Sequence, residues 1–418
     1  MTGLLREIRI DADRLKTDFD ALAKIGCTGD GGVHRPALGE EHLAARAWFR
    51  DQVEAAGLEF KIDGAGNHSA FLACSPQGST TLLLGSHLDS VSRGGRFDGA
   101  LGVLAALEAL RVVKVAWEDG GDFQHHLEVI DFTDEEGTLV GLLGSTAIAG
   151  SLTPQELENP RGGRDALLAG LTQSGITEEG ILCASRDPLS LAGYLELHIE
   201  QGSRLEKAEI DIGVVTGIVG IGSYRLTFVG RADHAGTTSM ADRLDACQGA
   251  SAFTQGARDL VMDWFPDCVA NVGWMQLEPG AFNIVPARAT LSLEYRAPEQ
   301  HDFERLEKAL IERARVAAVD NHLELEIEFL GKHSPVSMST DVQVEITKAA
   351  GDLGLTHTPL ASGAGHDAQS LAHLCQAGMI FIPSIGGASH SPREFSEWSD
   401  CVNGANVLLQ ATLRLLTS

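Results

Sequence analysis

Apolar positions along the chain follow two rhythms. Between Glu40 and Ala56, the residues Leu43, Ala47, Val53 and Ala56 recur at helical spacing, which predicts a helix with Gly57 as its C-cap. Leu58 to Ile62 then reads as a strand, and GAGN at Gly64 to Asn67 as a turn. The run Leu82–Leu83–Leu84 predicts a short buried strand ended by Gly85 and Ser86, and Ala100 to Val115 an apolar helix. His126 to Phe132 is a further strand. Ser151 to Asp187 is polar and rich in Gly and Pro, which predicts a surface excursion with a short helix after Thr153–Pro154. Tyr194 to Leu197 resumes the apolar strands. Near Gly213 the pattern changes: Ile218 to Gly230 and Ala270 to Tyr295 alternate apolar and polar residues, as half-exposed antiparallel strands do. Amphipathic helices are predicted at about Ala241 to Val261 and Asp302 to Val319, and Leu323 to Phe329 alternates strictly. Asp341 to Ser418 returns to helix–strand–helix and is expected to complete the first sheet.

This order predicts an α/β sheet of parallel character, in which ligand sites gather at the carboxyl ends of strands. At 418 residues the chain is long for one core. The expected division is a discontinuous domain of residues 1–216 and 331–418, interrupted by a compact α+β domain of residues 217–330, with a closing hinge near Gly213–Gly217 and Leu330–Gly331.

The formal net charge of −26 argues against nucleic acid and anionic membranes as partners, since their phosphates would be repelled. No apolar run approaches a membrane span, and MTGLLREIRIDADRL lacks the basic stretch and apolar core of a signal peptide. The seven cysteines never form a CxxC pair. They point to free thiols in a reducing cytoplasm rather than to disulfides or a thiolate zinc site.

The chemistry concentrates at strand ends. His87 and Asp89 follow the first apolar strand, and extended alternation would put both on one face. A carboxylate placed there can hold an imidazole in one tautomer while its other nitrogen binds a metal. Asp98 sits in a Gly-rich turn before a helix, Glu135 and Glu136 in TDEEG after a strand, His198 in HIEQG, and His390 in GGASHSPRE. His87, Asp98, Glu136, His198 and His390 form a nitrogen–oxygen donor set suited to Zn²⁺, and also to Mn²⁺ or Co²⁺. With one bridging carboxylate, such a set holds two ions ~3.5–4 Å apart. Only one of the adjacent Glu135 and Glu136 need bind metal, leaving the other as a general base. Each acid taken alone also reads as a solvated turn, or as a pair favoured by a helix N-terminus.

The strings GSHLDSV, GGRFDGALGV, DFTDEEG, LELHIEQG, GRADHAGTT, FNIVPAR, EYRAPE, SGAGHDAQ and SHSPREFS, taken in order, resemble the di-zinc carbamoyl amidohydrolases. These include N-carbamoyl-L-amino acid hydrolase, β-ureidopropionase and allantoate amidohydrolase, within the aminoacylase/carboxypeptidase-like superfamily. The resemblance spans about residues 82 to 396. It implies a di-zinc aminopeptidase/carboxypeptidase-like catalytic domain with an inserted dimerisation, or lid, domain. One metal ion would be held by His87, Asp98 and His198 and the second by Asp98, Glu136 and His390, with Asp98 bridging. Asp89 would orient His87, and Glu135 would act as base and then acid. His198 stands where peptidases of the superfamily usually carry a carboxylate, which favours the amidase branch. Arg296 would clamp a substrate carboxylate with help from Asn283. His234 would polarise the scissile carbonyl, reaching across from a homodimer partner, and Gln201, Gly365 and His366 would line the carbamoyl pocket. The implied substrate is a small carboxylate bearing a carbamoyl or ureido group, with N-carbamoyl-L-amino acids first and the allantoate amidohydrolase and β-ureidopropionase activities as sibling readings, ahead of a di-zinc peptidase or aminoacylase and of an inactive metal-binding scaffold.

Overall fold

The computed structural model describes residues 7–75 and 80–417; residues 1–6, which open the stretch compared above with a signal peptide, lie outside them. The chain divides into two compact units: Met1–Thr216 with Ser337–Leu360 and Ala364–Ser418, and Gly217–Val336 with Ala361–Gly363.

The first unit is built on strands β1 (Glu59–Ile62), β2 (His68–Leu72), β3 (Thr81–His87), β4 (His126–Phe132), β5 (Leu191–Ile199) and β6 (Ile212–Ile218). In the second unit follow β7 (Gly220–Val229), β8 (Val269–Asn271), β9 (Met275–Glu278), β10 (Arg288–Ala297) and β11 (Glu324–His333). The chain then returns through β12 (Val336–Ser337), β13 (His357–Ser362) and β14 (Ala377–Ile382). The larger sheet has the order β1-β2-β4-β3-β5-β14-β6-β12, with β13 on β6. Its middle is parallel: β3 with β4, β3 with β5, and β5 with β14. β3 does not end at Gly85; it continues to His87, with Gly85 opposite Ile130 and His87 opposite Phe132. A glycine removes a side chain but not the ladder's backbone groups, so the strand carries its histidine inside the sheet.

The Ala100–Glu118 helix packs an apolar surface, Leu101 to Leu110, into the core against β3 and β5 and against the closing helix Trp398–Leu416. Two sequence expectations change here. The Glu40–Ala55 helix buries His42, Ala45, Arg46, Phe49 and Val53, while Ala47 is exposed. The helix is turned because Arg46 finds a buried carboxylate, described below. Residues 151–187 lie largely at the surface, with the expected helix after Thr153–Pro154, but they also build a core of their own. Helices Pro154–Glu158, Arg164–Ser174 and Glu178–Leu182 put Leu157, Leu167, Leu171 and Ile181 into a satellite core with Leu38, Leu139 and Leu143.

The second unit is an antiparallel sheet ordered β11-β7-β10-β8, with β9 on β10, backed by helices Ala246–Trp264 and Gln300–Asp320. The first helix starts later than its pattern suggested, because Asp245 caps it and Met240–Asp242 forms a separate 3-10 turn. β11 alternates in sequence, yet as an edge strand it leaves Ile327, Phe329 and Leu330 exposed. All seven cysteines are free thiols, and no helix among the described residues is long and apolar enough to cross a membrane.

Candidate active site

Parallel pairing points the carboxyl ends of β4, β3, β5 and β14 the same way, so the residues that leave them converge. β3 ends on His87, β4 leads to Glu135 and Glu136, β5 carries His198, and the loop after β14 holds His390. Asp98 completes the group from the turn before the Ala100–Glu118 helix. Its Oδ1 lies 2.9 Å from His198 Nε2 and 3.7 Å from His87 Nε2. Its Oδ2 lies 3.5 Å from His390 Nε2, which is 3.2 Å from Glu136 Oε2. The result is two donor groups, His87–Asp98–His198 and Asp98–Glu136–His390, each with its ligand atoms within 4.8 Å of one another and both sharing Asp98.

The donors suit divalent ions. His87 Nδ1 donates to the Asp89 carbonyl at 3.1 Å and His198 Nδ1 to the Ile199 carbonyl at 2.8 Å, which leaves each Nε2 turned toward Asp98. That is the tautomer of a metal-binding imidazole. The Asp89 carboxylate is 3.7 Å from His87 Nδ1, so the nearer orienting acceptor is the residue's own carbonyl. Its carboxylate oxygens instead accept the backbone N–H groups of Glu135, at 3.3 Å, and Glu136, at 3.2 Å.

Charge is crowded here. Burial opposes ionisation of Asp98, but its hydrogen bond with His198 and the nearby His87 and His390 outweigh burial and hold it below the usual carboxylate range. Burial likewise disfavours charge on His198, yet Asp98 pushes it up to about 9. Cations bound at these donors would therefore displace protons. Glu135 belongs to neither donor group; its Oε2 is 3.5 Å from His87 Nε2. Burial, reinforced by Asp367, Glu136, Asp89 and Asp98, raises its pKa well above the carboxylate norm. A carboxyl group so shifted holds a proton more readily than a free carboxylate, which suits a group that must take a proton and return it.

Several supporting residues escaped the sequence reading. Arg46 Nε donates to Asp131 Oδ2 at 2.8 Å, with both side chains buried, and Asp131 Oδ1 accepts the Leu88 N–H at 2.8 Å, between His87 and Asp89. Glu394, 4% exposed, accepts the backbone N–H groups of Phe97 and Asp98, both at 3.0 Å. Glu196 is fully buried and accepts Ser86 Oγ, Tyr194 Oη and the Ala368 N–H. An arginine in an amphipathic helix and a glutamate in a loop carry no signal that separates such roles from surface charge.

The remaining expected residues fall in both units. In the first, Gln201 Nε2 donates to Asp98 Oδ2 at 2.9 Å, while its buried Oε1 has no hydrogen-bond partner. The His366 ring lies 4.5 Å from that of His198, and the residue occupies the N-cap position of the Asp367–Leu371 helix without a side-chain cap hydrogen bond, with Gly365 just before it. In the second unit, His234 is exposed and its Nδ1 accepts the N–H groups of Gly236 and Thr237 at 3.1 and 3.2 Å. An Nδ1 that accepts leaves the ring proton on Nε2. His234 bridges to Ile284, and the Asn283 carbonyl accepts the Ala235 N–H at 3.0 Å, so both residues lie on one short ladder. Arg296 is engaged by Glu294 Oε1 at 3.0 and 2.9 Å and by the Gly363 carbonyl at 2.6 Å. A substrate carboxylate would compete with Glu294 for it.

This geometry agrees with what the chain resembles. The family model for peptidase family M20/M25/M40 matches residues 83–414. An N-carbamoyl-L-amino acid amidohydrolase of Geobacillus stearothermophilus is 36% identical over 408 residues, covering 97% of this chain and 99% of the relative. An allantoate amidohydrolase of Bacillus subtilis is 32% identical, covering 96% and 97%. The crystal structure of a hydantoinase/carbamoylase family amidase from Burkholderia multivorans superposes with a TM-score of 0.90 at 33% identity, over 98% of this chain and 99% of that one. A metal-donor cluster at converging strand ends, matched over nearly the full length by such relatives, places this chain in peptidase family M20/M25/M40, beside its hydantoinase/carbamoylase-type amidases.

Proposed function

We propose that this protein is a metal-dependent amidohydrolase that cleaves the carbamoyl C–N bond of N-carbamoyl-L-amino acids, releasing the amino acid, carbon dioxide and ammonia. The observation that carries this reading is the division of the Asp98 oxygens between two donor groups, with the Glu135 carboxyl, a member of neither, beside them. His87, Asp98 and His198 would hold one divalent ion and Asp98, Glu136 and His390 the other, with Zn²⁺ the first choice and Mn²⁺ or Co²⁺ the others. Such ions, when bound, polarise the carbonyl and make water nucleophilic near neutral pH.

The chain's own groups do the rest. Glu135 takes the proton of the attacking water and returns it to the leaving nitrogen. His234 Nε2–H donates to the carbonyl oxygen as negative charge develops on it. Arg296, with Asn283, binds the substrate carboxylate. The unpartnered Gln201 Oε1 accepts an N–H of the carbamoyl group, with Gly365 and His366 forming the adjacent wall. We place His234 in the site of the partner subunit of a homodimer. Support comes from the second unit's edge strand β8, where Val269 is exposed, as are Trp264 and Trp274 nearby in sequence.

The test is ammonia release from N-carbamoyl-L-methionine, N-carbamoyl-β-alanine, allantoate and a dipeptide, before and after chelation and re-addition of Zn²⁺, Mn²⁺ or Co²⁺. Metal-restored turnover of N-carbamoyl-L-methionine above the others is expected. Preference for allantoate would select the sibling activity, and dipeptide hydrolysis alone would refute the carbamoyl assignment.

A further inference from the structure

Asp98 and His390 belong to one donor group but come from loops 292 positions apart, and His390 is the most exposed donor, with 53% of its side chain open to solvent. What joins these loops is Glu394, four residues beyond His390. Its Oε1 accepts both backbone N–H groups that lead into Asp98, each at 3.0 Å. Its Oε2 accepts Ser389 Oγ at 3.1 Å, and that hydroxyl is also 3.3 Å from Asp98 Oδ2, the oxygen facing His390. Glu394 also closes its own turn, its N–H donating to the Ser391 carbonyl at 3.0 Å. The opposite loop leaves room for the carboxylate: a Cβ on Gly95 would lie 2.0 Å from Glu394 Cδ and Oε1.

We propose that Glu394 is a positioning residue that sets the span between Asp98 and His390, and with it the affinity of the Asp98–Glu136–His390 group for its ion. This rests on the two-ion reading above. The other ion should depend on Glu394 far less, because His87 and His198 are held from β3 and β5 through the Asp89 and Ile199 carbonyls. An outer partner that fixes a ligand commonly contributes about 10- to 100-fold in metal affinity.

The experiment is titration of the chelated full-length protein with Co²⁺, read by calorimetry and by the visible absorption of the bound ion, for wild type, E394A and E394Q. Wild type is expected to take up two equivalents. E394A should keep the tighter one and bind the second about 10- to 100-fold more weakly. E394Q, which retains an oxygen for the Phe97 and Asp98 N–H groups, should lose less. Far-UV circular dichroism of the metal-free proteins checks folding; if E394A does not fold, E394Q decides, with a weakened second equivalent supporting the inference and wild-type affinity overturning it. Two wild-type affinities in E394A would overturn this inference alone. Fewer than two equivalents in wild type would overturn the two-ion reading and this inference with it.

Discussion

Replacing Arg46 by Met keeps much of the side chain's length and removes its charge. In the structure that charge is consumed by buried partners: Asp131 Oδ2 at 2.8 Å, the Gly66 carbonyl at 2.9 Å and Thr133 Oγ1 at 3.0 Å. Both Arg46 and Asp131 are at most 1% exposed, so water cannot take over. Stripping one member from a buried pair costs about 3–5 kcal/mol, because the other is left as an uncompensated charge. The sign of the pH dependence follows. Burial already raises the Asp131 carboxyl above the usual range, and Arg46 is the main influence lowering it. Without Arg46 its folded-state pKa rises further, so the native state binds that proton more tightly than the unfolded chain. Stability from this group is then full below the unfolded pKa and is lost as pH rises through the folded one. The deficit of R46M should therefore be largest near about pH 8 and shrink toward about pH 5. Urea denaturation of the chelated protein, followed by circular dichroism across that range, measures it, with R46M/D131N as the neutral control expected to recover part of the loss. A deficit below about 1 kcal/mol, or one that does not change with pH, would refute the reasoning.

Three further outcomes follow from the site. Glu135→Gln should leave metal content unchanged while turnover falls by about 10²–10⁴, measured by ammonia release against metal analysis; near wild-type turnover would exclude its role as base and acid. Gly99→Ala should lower metal content and stability together. Gly99 has φ 62°, and a Cβ there would lie 2.4–2.5 Å from ring atoms of the buried His87, so wild-type metal content after dialysis would contradict the packing described. His234→Ala and Glu135→Gln, each inactive alone, should regain about a quarter of wild-type activity when their subunits are randomly mixed, if His234 serves the partner's site. No recovery in verified mixed dimers would return His234 to its own chain.

Sequence alone made most of the elements and the candidate donors legible. Periodicity places β3, β4, β5 and the Ala100–Glu118 helix because a buried strand or helix must present apolar residues at its own spacing, whatever it packs against. The candidate donors His87, Asp98, Glu136, His198 and His390 stand out as an ordered set beside apolar segments, within strings that resemble one metal-dependent family, although each acid alone reads equally well as a solvated turn. Tertiary structure decided what those side chains do to one another. Nothing local to residue 46 says that an arginine will face inward, since its partner arrives 85 positions later. The packing of residues 151–187 was hidden for the same reason: each short helix buries only one or two large apolar side chains, and they become a core only when brought together with Leu38, Leu139 and Leu143. Even Asp89, whose place beside His87 is legible, turns its carboxylate to the Glu135 and Glu136 backbone and leaves the imidazole to its carbonyl. Side-chain periodicity is a property of the chain, whereas a buried charge is stable only beside a specific partner, and partners are assigned by the fold.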